Sequence, residues 1–299
     1  MKAVSRGVVG LCLCLASTLL LGQTRGDQAN VVPENPIDSF FKTNHITLAQ
    51  SVIDKNSIQK PAALQLVLPS GGKDSYSIDA GLTWNGLYGQ WLGSLWEVGP
   101  SVEYHRNTQT KTPQNTFQAG LSVVDGFGDP GTVFHYVQGV VQYKDDRIMS
   151  GQGVQASLSY TLVNWDLAIG FARGPDVLQY MWQPTAALQY EGADNVLKTG
   201  KSGEVGRVKG HVEAGLYPFG KRLEKRIELI TQESYWYDAA QDDAYDRVQR
   251  GHNLFEASGN YWIDVTQNLG LGIDYLRGDN PEQGLARQET VMLSLKAKF

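Results

Sequence analysis

Apolar and polar residues alternate along much of this chain, in runs of about 9 to 11 residues. In the run from Ser75 to Trp84, every second residue is apolar and most of the others are polar. Because successive side chains of a strand point to opposite faces, such a run predicts a strand with one apolar and one polar face. The same split recurs in runs that begin near Trp96, Phe117, Val154, Val208, Phe255, Leu269 and Val291. We therefore predict an all-β chain.

Alternation is also typical of soluble β-sandwiches, but the length of the runs favours a membrane barrel. A run of about 9 to 11 residues matches a tilted membrane span, whereas strands of globular proteins commonly have about 5 or 6 residues. Trp and Tyr residues cluster near the ends of the runs, as in the aromatic girdles of membrane barrels. These residues are Trp84, Trp91, Trp96, Tyr104, Tyr160, Trp165, Trp182, Tyr190, Tyr235, Trp236, Tyr237, Tyr261, Trp262 and Tyr275.

The predicted fold is a transmembrane antiparallel up-and-down β-barrel of about 12 strands, with 14 as the alternative. Barrels of this kind have an even number of strands, but the chain contains about thirteen candidate segments. The uneven count arises between Asp166 and Gly206, where Gly174-Pro175 interrupts the pattern. We expect this stretch to contribute one strand fewer than the pattern suggests, which makes twelve.

The end of the chain carries an apolar face that closes on an aromatic residue. Val291, Leu293, Leu295, Ala297 and Phe299 share this face. This pattern resembles the assembly signal of bacterial outer-membrane β-barrels. The resemblance implies a place among outer-membrane lipids and lipopolysaccharide, with the barrel-assembly machinery and periplasmic chaperones as partners. Deletion of Phe299 is expected to impair assembly.

The connections between the predicted strands orient the barrel. Counted back from Phe299, they alternate between longer and shorter, beginning with the long stretch from Gly278 to Gln288. Outer-membrane barrels have short periplasmic turns and longer outer loops. We therefore expect the end that carries 278–288 to face outward, and both termini to be periplasmic.

The N-terminal region divides into two expected segments ahead of a barrel over 61–299. Residues 1–29 read as a signal peptide, because a basic start with Lys2 and Arg6 precedes an apolar run too short to span a membrane. A membrane anchor is the alternative. Residues 30–60 lack the barrel pattern and form a periplasmic lead-in, a short helix inside the lumen, or an irregular first strand through Ile46, Leu48 and Val52.

Charge and cysteine content narrow the possible partners. Loss of Lys2, Arg6 and Arg25 would take the formal charge from −5 to −8, which argues against binding of nucleic acid. The two cysteines, Cys12 and Cys14, both lie in the predicted signal peptide. The remaining chain can therefore form neither a disulfide nor a thiolate metal site. We expect no cofactor and no metal, and the oligomeric state stays open.

Charged residues on the polar faces are the candidate site. The strand after Trp96 directs Glu97, Glu103 and His105 inward, and the strand after Val208 does the same with Lys209, His211 and Glu213. Residues two apart on a strand lie about 6.6 Å apart on one face, so Glu103 with His105, and His211 with Glu213, could act together. Three interpretations remain: a general base with an orienting carboxylate, a pore lining that selects by charge, or charges that only pair with one another.

No motif of a known barrel enzyme is present. The five histidines, His45, His105, His135, His211 and His252, have neither a Ser two residues later nor an Asp two residues earlier. An enzyme is therefore not expected. Twelve strands lie between packed eight-stranded and open sixteen-stranded barrels, which favours a narrow porin-like channel for small solutes or ions. The alternatives are an outer-membrane lipid-modifying hydrolase and a plugged structural or adhesive barrel.

Overall fold

The computed structural model describes the chain from residue 36 to residue 299 with internal gaps. The described ranges are 36–52, 60–69, 75–91, 94–109, 113–129, 132–148, 151–196, 200–220, 222–245, 249–281 and 285–299. The predicted signal peptide and the start of the segment that follows it lie outside these ranges. No helix in these ranges is long and apolar enough to cross a membrane.

One helix and fourteen strands follow one another along the described chain. The helix α1 spans Pro36–Thr43. The strands are β1 (Ile46–Ala49), β2 (Ala62–Pro69), β3 (Ser75–Trp84), β4 (Leu87–Trp91), β5 (Ser94–Asn107), β6 (Gln114–Gly128), β7 (Val133–Asp146), β8 (Gly151–Asn164), β9 (Leu178–Ala193), β10 (Gly203–Pro218), β11 (Ile227–Gln241), β12 (Gly251–Trp262), β13 (Leu269–Asn280) and β14 (Leu285–Ala297).

Twelve of these strands form a closed antiparallel barrel. Each long strand pairs with the next along the chain, and β14 pairs with β2 to close the ring. The two short strands β1 and β4 are additions to this ring. The predicted twelve-stranded barrel is confirmed. The uneven count is also explained, because the stretch from Asp166 to Tyr190 contributes the single strand β9, which starts at Leu178.

The two faces of the wall have opposite character. Side chains with buried polar groups point into the lumen, and exposed apolar side chains such as Leu121, Leu158 and Leu188 cover the outside. This is the arrangement of a barrel in lipid, where the solvent around the wall is apolar. Several strands are longer than predicted, and β9 and β10 have 16 residues each.

Two residues assigned to the aromatic girdle lie in the lumen instead. Trp236 and Trp262 are 1% and 0% exposed. Trp236 lies one position after the outward-facing Tyr235, so the period of two directs it inward. A cluster of consecutive aromatic residues therefore cannot belong entirely to a girdle.

The first strand of the wall is interrupted. β1 pairs with β3 at Gly81–Trp84, and β2 pairs with the same edge of β3 at Ser75–Asp79. The Gln50 amide donates to the Lys60 carbonyl at 2.8 Å and joins the two pieces. Of the three alternatives for residues 30–60, an irregular first strand describes Ile46 and Leu48, which lie in β1. Val52 lies beyond β1 and is 2% exposed.

The C-terminal residue closes the wall beside this interruption. β14 ends at Ala297, two residues earlier than the apolar pattern predicts. The Leu48 amide donates to the Phe299 carbonyl at 3.0 Å, and the Phe299 ring stacks on Phe41 of α1 at 4.7 Å between ring centroids. Phe299 therefore joins the two ends of the described chain.

The loop-length argument for orientation does not hold in the structure. We call the end of the barrel that carries Ala62 and Ala297 the termini end, and the opposite end, with Asn107 and Gln241, the distal end. The connection 281–284 at the distal end is short, and the long connection 165–177 lies at the termini end. Loops therefore do not alternate in length as expected, and the periplasmic position of both termini stays a prediction.

Candidate functional site

The six charged residues predicted for the lumen lie on the lumenal face. Glu103, His105, Lys209, His211 and Glu213 are all buried, at 1% to 6% exposure. Glu97 is half-buried near the termini end and pairs in register with the buried Val124. Whether these residues line a path for permeants stays a prediction.

Glu103 and His105 meet as their spacing predicts, and Asp79 completes the cluster. The His105 ring contacts Asp79 Oδ1 through Nδ1 and Glu103 Oε2 through Nε2, each at 2.9 Å. Gln142 Nε2 donates to Glu103 Oε1 at 3.0 Å. We call Asp79, Glu103, His105 and Gln142 the Glu103 cluster. Both ring nitrogens face carboxylates, an arrangement that orients the ring.

The chain segment after β1 docks on this cluster. The Val52 amide donates to Glu103 Oε1 at 2.8 Å, and Ser51 Oγ donates to Glu103 Oε2 at 3.1 Å. From β7, two strands along the wall from β5, Gln138 Nε2 donates to the Val52 carbonyl at 2.8 Å. Because Glu103 is on β5 and Gln138 on β7, Val52 lies inside the barrel and narrows the lumen.

The second predicted pair is looser. His211 Nε2 lies 3.9 Å from Glu213 Oε2, and His211 Nδ1 is 2.8 Å from Ser234 Oγ. Lys209 lies over the ring of Trp236, with its Nζ 5.1 Å from the ring centroid, in a cation–π contact. These side chains engage neighbours on β11, which is next to β10 in the wall.

A row of alternating charges crosses the lumenal wall near the distal end. Lys144 contacts Glu191 at 3.1 Å, Glu191 contacts Arg207 at 2.8 Å, and Arg207 contacts Asp238 at 3.1 Å. Asp238 lies 3.3 Å from His252, which also contacts Asp279. We call these six residues the charge ladder; it extends from β7 to β13. On β8, between these two strands, Gly153 lies opposite Lys144 and Gln155 lies opposite Glu191.

Sequence analysis missed the charge ladder. Each of its members lies on the polar side of a strand, but the alternation along one strand does not reveal which residue faces it on the next. The register supplies that information, for example by placing Arg207 directly opposite Asp238. The signal available in the sequence was the presence of oppositely charged residues, on neighbouring predicted strands, at similar distances from the predicted turns.

A third group of charges lies toward the termini end. Lys296 Nζ donates to Asp274 Oδ1 at 2.6 Å and to Asn260 Oδ1 at 2.7 Å. Beside it, Glu228 Oε2 accepts from Trp262 Nε1 at 3.1 Å and from Asn260 at 2.9 Å. The buried Trp262 thus serves as a hydrogen-bond donor in a polar network rather than as a girdle residue.

A cavity that is open to solvent lies between the Glu103 cluster and this third group. Three of the six predicted residues line it, namely Glu103, His105 and Glu213. Acidic side chains outnumber basic ones in the lining. The acidic residues are Asp79, Glu103, Glu213, Glu228, Glu256 and Asp274, and the basic ones are Lys60, His105, Lys296 and Lys298. The cavity is therefore a negatively charged compartment.

Comparison with known proteins finds the barrel fold only. No family model matches the chain, and no curated protein matches it significantly. Among solved structures, the NanC porin is similar at 12% identity and TM-score 0.44, covering 80% of this chain and all of that one. The transport unit of the autotransporter AIDA-I from Escherichia coli is similar at 11% identity and TM-score 0.40, covering 98% of each chain. The translocator domain of the autotransporter NalP from Neisseria meningitidis is similar at 9% identity and TM-score 0.35, covering 100% of this chain and 97% of that one.

Proposed function

We propose that this barrel lies in the bacterial outer membrane, with both termini periplasmic, and acts as a narrow channel that prefers small cations. The acid excess of the cavity is the observation that carries this proposal. A compartment lined by more carboxylates than amines attracts cations and repels anions, and low-dielectric walls strengthen the effect.

The contacts within the cavity leave carboxylates in surplus. Lys296 pairs with Asp274 at 2.6 Å, and Lys60 pairs with Glu256 at 3.5 Å. His105 is shared by two carboxylates, Asp79 and Glu103. Glu213 and Glu228 add two further acids to the lining, and Lys298 adds one further base. The balance of the lining is therefore negative even when His105 is protonated.

The position of Val52 inside the barrel supports the proposal that the channel is narrow. Its backbone is bonded to the lumenal side chains of Glu103 and Gln138, so part of the lumen cross-section is filled by the chain itself. The three charge groups provide polar side chains along the described lumen, as a water-filled path requires. We therefore expect small conductance steps rather than those of an open porin.

The His105 geometry supports the expectation that the protein is not an enzyme. Each ring nitrogen lies 2.9 Å from a carboxylate oxygen, so neither is directed at a nucleophile. A general base needs an unprotonated nitrogen within reach of the proton that it removes.

Reconstitution of the purified protein in planar bilayers tests the proposal. We expect discrete current steps. Under a KCl gradient, the reversal potential should be shifted toward the equilibrium potential of potassium. The absence of current steps would favour a plugged barrel. A reversal potential shifted toward the equilibrium potential of chloride would exclude the proposed selectivity.

A further inference from the structure

The outer wall is not uniformly apolar. On β8 to β10 the outward residues are lipid-compatible side chains such as Leu158, Leu188 and Val208, all exposed. On β11, the outward position near the middle of the strand is Glu233, which is also exposed. A carboxylate at this position faces acyl chains unless another surface covers it.

Further polar residues extend this feature across the next three strands. Asn253 on β12 is exposed and donates to Glu233 Oε1 at 3.4 Å. Arg277 on β13 is exposed and pairs in register with the exposed Glu289 on β14. We call Glu233, Asn253, Arg277 and Glu289 the outer polar row.

The register places these residues side by side on one face. Glu233 pairs with Phe255, and Phe255 pairs with Arg277. Glu233 and Arg277 therefore lie on either side of β12, two strand spacings apart, or about 9.6 Å. Both the acid and the base point away from the lumen, so neither can join the lumenal charge groups.

We infer that the outer polar row is a contact surface between two copies of this chain. A two-fold axis along the membrane normal beside Phe255 would place Glu233 of each copy opposite Arg277 of the other. The surface is thus self-complementary in charge. Phe255 lies between the two charges on β12, and the next outward residues toward the termini end, Ala257 and Gly259, are small.

The energetics favour covering this row. An arginine on the lipid face is unfavourable at the bilayer midplane and less so near the interfaces, and acids are less unfavourable than bases. Pairing the two charges across a contact removes both from lipid at once. The equivalent face of β8 to β10 offers no such gain, because its outward residues already suit acyl chains.

Cysteine crosslinking in the membrane tests the inference. The chain beyond the predicted signal peptide has no cysteine, so Phe255→Cys introduces a single thiol beside the proposed axis. Oxidation is expected to convert most of this variant to a disulfide-linked dimer. The matched control Leu188→Cys, on the outer face of β9, and the unsubstituted protein are expected to stay monomeric on a denaturing gel.

Charge exchange provides the second arm of the test. Glu233→Arg and Arg277→Glu should each lower the crosslinked fraction of the Phe255→Cys protein several-fold, and the two together should restore it. Restoration would not occur if the single variants merely damaged the fold. Two results would overturn the inference. One is crosslinking at Phe255→Cys that is no greater than at Leu188→Cys. The other is a monomer that retains lipopolysaccharide through Arg277.

Discussion

The charge ladder and the cavity lining use the same kinds of residue in opposite ways. In the ladder, Glu191 and Asp238 flank Arg207 at 2.8 and 3.1 Å, so each inner member lies between opposite charges. Among the side chains that line the cavity, carboxylates exceed amines. From this difference we propose that lumenal charge in this barrel has two separable roles: balanced charge joins strands, and unbalanced charge selects ions.

Removal of the central cation of the ladder should have the largest effect on stability. Arg207→Met leaves Glu191 and Asp238 buried without their shared partner, and loss of one member of a buried pair costs about 3–5 kcal/mol. Urea unfolding of the reconstituted barrel measures the change.

Arg147→Met is the matched control for this substitution. Arg147 pairs with Asp145 at 3.4 Å, but its side chain is largely exposed, so a loss of at most about 1 kcal/mol is expected. Equal losses in the two variants would show that the ladder does not stabilise the wall.

Release of Val52 should have an intermediate effect. Gln138→Ala removes the bond to the Val52 carbonyl, which costs about 1 kcal/mol, and leaves more of the lumen open. We expect larger single-channel conductance. Gln155→Ala is the control, since Gln155 is a buried lumenal glutamine on the cavity wall. If the two variants increase conductance equally, Val52 does not narrow the path.

The smallest effect is expected at Lys209. Lys209→Ala removes a cation that lies over Trp236 and outside the cavity lining, whereas Glu103→Ala removes a carboxylate within that lining. Reversal potentials should therefore shift toward zero for Glu103→Ala and change little for Lys209→Ala. A larger shift for Lys209→Ala would place the ion path along β10 instead.

The alternation of side chains was sufficient to predict much of the fold. It indicated the lumenal orientation of Glu103 and Lys209 and the apolar outer face of β14, because the period of two is a local property of the chain. The number of strands followed once the stretch around Gly174-Pro175 was interpreted as a connection.

Features that depend on register or on distant contacts were not predicted. The charge ladder arises from side chains on strands far apart in sequence, such as Lys144 and Glu191. Val52 leaves the wall because Glu103 and Gln138 bind its backbone, and neither partner is near it in sequence. Trp262 was assigned to the girdle because composition alone cannot distinguish an interfacial ring from one that donates to a buried Glu228.

The reversal potential of the double variant Glu213→Gln/Glu228→Gln tests the central claim most directly. Glutamine keeps an oxygen that accepts from Trp262 and Asn260, so the fold is retained while two charges of the cavity are removed. The control Glu204→Gln changes an exposed acid near the distal end of β10. The account predicts a shift toward zero for the double variant alone; an unchanged cation preference in the double variant would contradict it.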